Sequence, residues 1–189
     1  MIDFNYYSFC LFLGGLVAIA SGAIVFFAHD NRSNTVRVPW MLLNLSTAIW
    51  SFGYYAMITA TSHPSGLLND WILHIGAILI PIFYLWFILA LTGTYQTHRK
   101  ALYLSGIIGA FFLLQSWQPS FVRDVFPKYI FNYVPDAGPL YTYFTIFFFT
   151  FTVYAGLVLL HKAFTTADRN ESVRLRYVFG SSLAGFIGG

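Results

Sequence analysis

The chain has 189 residues, of which 58% are hydrophobic, 21% aromatic and only 9% charged, with a net charge of +3. Soluble domains carry about 25% charged residues, so the composition excludes an ordinary soluble domain and points to a membrane protein. The modest positive charge belongs to the loops and gives no reason to expect a nucleic-acid partner.

Hydropathy predicts an all-α, polytopic transmembrane helix bundle. Five full spans are expected near 6–28, 38–60, 70–93, 101–117 and 139–161, and a sixth begins near Tyr177. A helix needs about 20 apolar residues to cross the roughly 30 Å hydrocarbon core. From Tyr177 onward only about 13 remain at 1.5 Å each, so residues 1–189 are expected to be one domain that stops before its natural end. Every Asp, Glu, Lys and Arg lies outside the spans or at their edges. A charge at a helix centre costs about 2.5–3.5 kcal/mol, which explains the placement.

The first span carries Gly14, Ala18 and Gly22 at four-residue spacing. Such a stripe of small residues lets helix backbones approach closely. The lone cysteine, Cys10, permits no internal disulfide and reads as a small apolar filler. In the second span Asn44, Thr47, Ser51 and Tyr54 or Tyr55 share one helical face. Polar groups in hydrocarbon seek partners on other helices, so this face is expected to point into the bundle as glue or as a cavity wall.

The third span is the apolar run WILHIGAILIPIFYLWFILALTG, residues 71–93. Asp70 and His74 stand four apart on one face, at its outer end. Pro81 removes a backbone hydrogen bond and is expected to bend the helix within the turn before it. His74 reads either as a satisfied interfacial histidine or as a ligand contact or proton sensor. The fourth span offers Ser105 with Gly109, and Gly106 with Ala110. The sixth offers Gly180, Ala184 and Gly188.

The loop near 118–138 is too long for a plain connector. KYIFNYV is β-prone and PDAGP is a turn, so an ordered cap that can hold a short hairpin is expected. Trp117, Tyr129, Phe131, Tyr133, Tyr141 and Tyr143 belong either to an interfacial belt or to a pocket wall. The stretch HKAFTTADRNESVRLRY reads as a charged turn at the lipid headgroups.

Basic residues set the orientation. The loop near 118–138 holds two, Arg123 and Lys128. The other three basic loops hold eight: Arg32, Arg37, Arg99, Lys100, Lys162, Arg169, Arg174 and Arg176. By the positive-inside rule those eight are cytoplasmic and the N-terminus is outside.

Several chemistries find no residues. No carboxylate pair suits a proton pump, and no lysine within a span suits a Schiff base. No metal-ligand spacing, nucleophile-and-base pair or phosphate loop is present. No catalytic residue, metal or cofactor is expected.

Four stretches carry a resemblance: LNLSTAIWSFGYY in the second span, residues 71–93 in the third, VPDAGPLYTYF at the cap, and RLRYVFG opening the sixth. Together they resemble the histidine-kinase N-terminal seven-transmembrane region. The resemblance implies a multi-pass sensor domain of the bacterial inner membrane, of two-component type, whose C-terminus leads to a kinase, cyclase or similar cytoplasmic output. The incomplete sixth span, the missing seventh and the missing output domain depart from that pattern.

The leading reading is therefore a sensor or receptor module, and the competing one is an accessory subunit of a larger membrane complex. The expected partners are the lipid bilayer, a small-molecule ligand, and a second copy or other membrane subunits. The expected site is an outer cavity beneath the cap, bordered by Asp70, Trp71, His74, Tyr54 or Tyr55, and Trp117. The competing reading of His74 is a structural residue at the lipid edge.

Overall fold

The computed structural model describes residues 6–27 and 34–188. Among them are six helices: α1 (Tyr6–Phe27), α2 (Asn34–Ile58), α3 (His63–Thr92), α4 (Tyr95–Gln115), α5 (Pro139–Thr165) and α6 (Arg169–Gly188). A two-stranded hairpin of β1 (Val122–Lys128) and β2 (Phe131–Ala137) joins α4 to α5. By length and composition α1, α3 and α5 can cross a membrane. The other three are also long, but charged residues enter their first two turns, such as Arg99 and Lys100 in α4 and Arg174 in α6.

Several boundaries fall earlier than hydropathy places them. α3 starts at His63, not near residue 70, because Ser62 is extended and Pro64 occupies the first turn, where a missing N–H costs nothing. It ends at Gly93, whose left-handed φ of 67° closes the last turn. Its 30 residues span about 45 Å. α6 starts at Arg169 rather than near Tyr177. The expected headgroup turn shrinks to residues 166–168, since Asp168 Oδ1 accepts from Asn170 N–H and Ser172 Oγ donates to Ala163 O. These bonds satisfy free helix-end groups.

α3 is the central element, in contact with α2, α4 and α5. Ile78, Leu85, Ile88 and Leu89 are wholly buried along it. α2 approaches it closely through two glycines. A Cβ on Gly76 would stand 2.5 Å from Ser46 O and from Trp50 N, and one on Gly53 would stand 2.7 Å from Leu73 N. α1 runs along α2 by a seam of Ser8, Gly15, Ala18 and Gly22. The stripe is thus partly as expected: Ala18 and Gly22 are buried, but Gly15 replaces the exposed Gly14. On α4, Ser105 and Gly109 are buried, while a Cβ added at Gly106 would meet nothing within 4 Å.

The polar stripe of α2 is satisfied differently from expectation. Asn44 Nδ2 donates to Trp40 O and Thr47 Oγ1 to Leu43 O, and Ser46 Oγ, off that stripe, donates likewise to Leu42 O. The helix's own carbonyls one turn back are always within reach, whereas a partner on another helix must be positioned.

The hairpin is antiparallel, pairing Val122 with Ala137, Val125 with Pro135 and Lys128 with Phe131, with two irregularities. Its two residues at the tip, Tyr129 and Ile130, lie inside the stretch read as a strand, and Tyr129 takes a φ of 54°. Pro135, Asp136 and Ala137 belong to β2 rather than to a turn, and Pro139 opens α5. Both strands are edges, so Pro127 and Pro135 cost little.

Candidate functional site beneath the hairpin

Four ties fasten the hairpin to the helix ends. Asn132 Nδ2 donates to Ala60 O at the α2–α3 turn. Gly138 N donates to Phe121 O and Leu140 N to Ser120 O, which locks the strand ends to α5. Tyr133 lies over Gly66, where a Cβ would come within 2.8 Å of the ring. The fourth tie is His63 Nε2 to Asp124 Oδ1 at 2.6 Å. Val125 is buried against Met57, Ile58 and Leu73.

The Asp124 carboxyl is held below its ordinary value of 3.8, first by the Val125 N–H and then by His63. A lowered value means that the folded state favours the carboxylate. Its contribution is complete above about pH 4 and is lost as pH falls through the lower folded value. Both side chains are half exposed, so water screens the pair. Hydrogen exchange at residues 122–137 should quicken only below about pH 4, and Asp124→Asn should remove that acid dependence. Unchanged acid dependence in the variant would show that another group controls the docking.

Beneath this lid lies a buried polar pair. Asp70 is 0% and His74 1% exposed, so His74 lies inside the bundle and not at a lipid edge. His74 Nδ1 stands 2.8 Å from Asp70 O and 3.3 Å from Asp70 Oδ1. A carbonyl only accepts, so Nδ1 carries the proton and aims it at the backbone. The carboxyl gains proximity without a hydrogen bond. Both Asp70 carboxyl oxygens and His74 Nε2 have no hydrogen-bond partner among the described residues. Rings enclose the imidazole: Phe121 at 5.2 Å, Tyr141 at 5.6 Å and Phe144 at 6.3 Å, all edge-on. Tyr141 is within electrostatic reach of Asp70 and of Tyr54.

The six expected site residues divide into three places. Asp70, His74 and Tyr54 converge around Tyr141. Tyr55 turns to α1 and meets Phe12 at 5.5 Å. Trp71 and Trp117 share an open groove of about 450 Å³ between α3 and α4, with Leu68 and Ile72. A one-residue step turns a helical side chain by about 100°, which carries Trp71 away from Asp70. Tyr141 was among the aromatics read as belt or pocket wall, whereas Phe121 and Phe144 are walls that sequence reading missed. The spacing from Tyr141 could have indicated Phe144, since positions three residues apart share a face. Pro81 is buried inside α3, which continues past it to Thr92. No group of residues suited to a metal ion occurs among the described residues.

Residues 10–188, from the first helix to the sixth, match the family described as the N-terminal 7TM region of histidine kinase. The chain belongs to this family. No curated protein and no solved structure matches it. A histidine-kinase 7TM region is a membrane sensor module, and the three long apolar helices of this one agree with a membrane location.

Proposed function

We propose that this 7TM region senses an extracytoplasmic or membrane-borne stimulus at its hairpin end and passes it to a cytoplasmic signalling output, as part of a bacterial two-component system in the inner membrane. In this reading all six helices span the bilayer and the N-terminus is outside. The observation that carries it is the Asp70–His74 pair, which holds three unpartnered polar atoms under a docked lid. Each such atom costs about 1–3 kcal/mol when buried, and a small polar ligand or a proton at the pair offsets that cost in one bundle state. A stimulus shifts the bundle only by its difference in affinity between two states. Pro81, seven residues further along α3, would supply the loose joint through which a change at the pair tilts the helix. Seven of the eight basic residues lie at helix ends away from the hairpin and support the orientation, while Arg32 lies outside the described residues.

Two measurements test the reading. With Cys10 replaced by serine, a cysteine at Ile130 of the hairpin tip should react with an impermeant maleimide on intact cells, and one at Ala167 should react only after lysis. The reverse pattern would invert the topology. The full-length gene product in lipid nanodiscs should phosphorylate its own histidine from ATP or carry another nucleotide-dependent output. A full-length product without either would favour the accessory subunit.

A further inference from the structure

All three unpartnered atoms of the Asp70–His74 pair are acceptors. An ionised carboxyl offers only lone pairs. Nδ1 holds the imidazole proton against Asp70 O at 2.8 Å, so Nε2 offers a lone pair as well. What the pair lacks is a donor. Each of the three atoms is closed to a water-sized sphere, so neither a water nor a larger molecule reaches them in this bundle state. A proton is the donor that needs no cavity. We infer that the pair is a proton switch: Asp70 carries a proton on its carboxyl in this state, and loss of that proton to the outer water drives the second state. This assignment rests on the sensing role proposed above and makes the acidity of the outer medium its stimulus.

The surroundings give an ionised Asp70 little to balance it. α2 presents Tyr54 and α5 presents Tyr141, which is within electrostatic reach of both Asp70 and Tyr54. From β2, Tyr133 lies over Gly66, one turn before Asp70. Asp124 of β1 is engaged with His63, and both are half exposed. Asp136 of β2 stands opposite Asp124, and Arg123 and Lys128 are exposed. α4 reaches the pair through Phe112, which packs on Phe121 at 6.1 Å. Its own ionisable groups, Tyr95, His98, Arg99, Lys100 and Tyr103, occupy its first three turns at the other end. His74 is thus the neighbour that could balance a carboxylate, and a charged pair would bury two ions, a cost that their attraction often fails to offset. A proton on Asp70 leaves both side chains neutral.

The proton's departure has a structural consequence. Transfer from the carboxyl to a water leaves a carboxylate and a hydronium. A carboxylate cannot stay dry, so α3 must shift against α5 until water reaches Asp70. Tyr54 and Tyr141 are half-buried and join the pair to the accessible surface, which makes them the side on which water enters. The rings of Phe121, Tyr141 and Phe144 part as it does, while the hairpin stays tied at its rim.

Infrared difference spectra of the full-length protein in lipid, parent minus Asp70→Asn, read the proton directly. A carboxylic-acid C=O band is expected at about pH 5 and its loss by about pH 9, the range in which buried carboxyls and histidines titrate. No such band at about pH 5 overturns the inference. Output is read in vesicles whose lumen faces the hairpin, so that lumenal and ATP-side pH are set separately. The nucleotide-dependent output of the parent should change at least about threefold over that lumenal range. Asparagine has the shape of the protonated acid and cannot ionise, so Asp70→Asn should hold the parent's acid-side output throughout. An Asp70→Asn variant that follows lumenal pH as the parent does overturns the inference. A parent flat in lumenal pH, beside an Asp70→Leu/His74→Leu double variant whose basal output shifts, overturns the proton and leaves the sensing role standing. A double variant that matches the parent in output ends both. If Asp70→Asn fails to fold by circular dichroism, the double variant replaces it in both measurements and should be flat in lumenal pH.

Discussion

Gly76→Ala should lower the unfolding temperature of the bundle by several degrees and loosen α2 from α3. The added Cβ would stand 2.5 Å from Ser46 O and 2.5 Å from Trp50 N. Both neighbours are backbone atoms of one helix, so no rotamer change relieves the contact. The helices themselves must part, and van der Waals packing is what holds membrane helices together. Overpacking of this kind costs about 1–3 kcal/mol, and a backbone neighbour places Gly76 at the upper end. Gly53→Ala should act in the same direction, since its Cβ would stand 2.7 Å from Leu73 N. The two changes should add to less than their sum, because helices parted by one leave room for the other. Gly106→Ala is the control. A Cβ there meets nothing within 4 Å, and alanine improves helix propensity by about 0.5–1 kcal/mol. Thermal unfolding in detergent that ranks Gly76→Ala beside Gly106→Ala would refute the close crossing of α2 and α3.

The second large effect is expected at the buried pair. His74→Leu should destabilise the bundle by about 1–3 kcal/mol, because it removes the Nδ1 bond to Asp70 O and takes the nearest polar neighbour from the buried Asp70 carboxyl. Adding Asp70→Leu should recover most of that loss, since the double variant removes all three unpartnered atoms. Replacing buried polar pairs by apolar side chains is often neutral or stabilising by about 1–4 kcal/mol. Stability alone cannot show what the pair is for, so the output must be read as well. In the full-length protein the double variant should be as stable as the parent, yet its basal autophosphorylation or cyclase rate should shift and no longer follow changes at the hairpin face. A double variant matching the parent in both stability and output would reduce the pair to an inert remnant of packing and end the sensing proposal.

Membrane character was legible because it depends on composition. Long apolar runs with charges at their edges need no knowledge of partners. Helix ends were less legible where polar residues continue a helix beyond its apolar part. His63–Asn69 of α3 and Arg169–Arg176 of α6 are helical although hydropathy marks them as loop. Helix hydrogen bonds form within the segment whatever the side chains, so hydropathy reports the membrane and not the helix end. The hairpin was half legible: KYIFNYV signalled β structure, but its partner VRDVFPK carries three charges and a proline, and only pairing made it a strand.

The sequence by itself determined the all-helical, apolar character, the polar face that joins Asp70 to His74, and the small residues available for close crossings. Those follow from local periodicity, since positions four apart on a helix must share a face. Only the tertiary structure decided what each face meets. It closed Phe121, Tyr141 and Phe144 around His74, sent Trp71 and Trp117 to a separate groove, and turned Tyr55 toward α1. It also chose Gly15 over Gly14 for the α1 seam and opened a cavity beside Asn44 and Thr47. The reason is physical. A helix's rotation about its own axis is set by packing against its neighbours, and a change of one residue in that rotation moves every contact by about 100°.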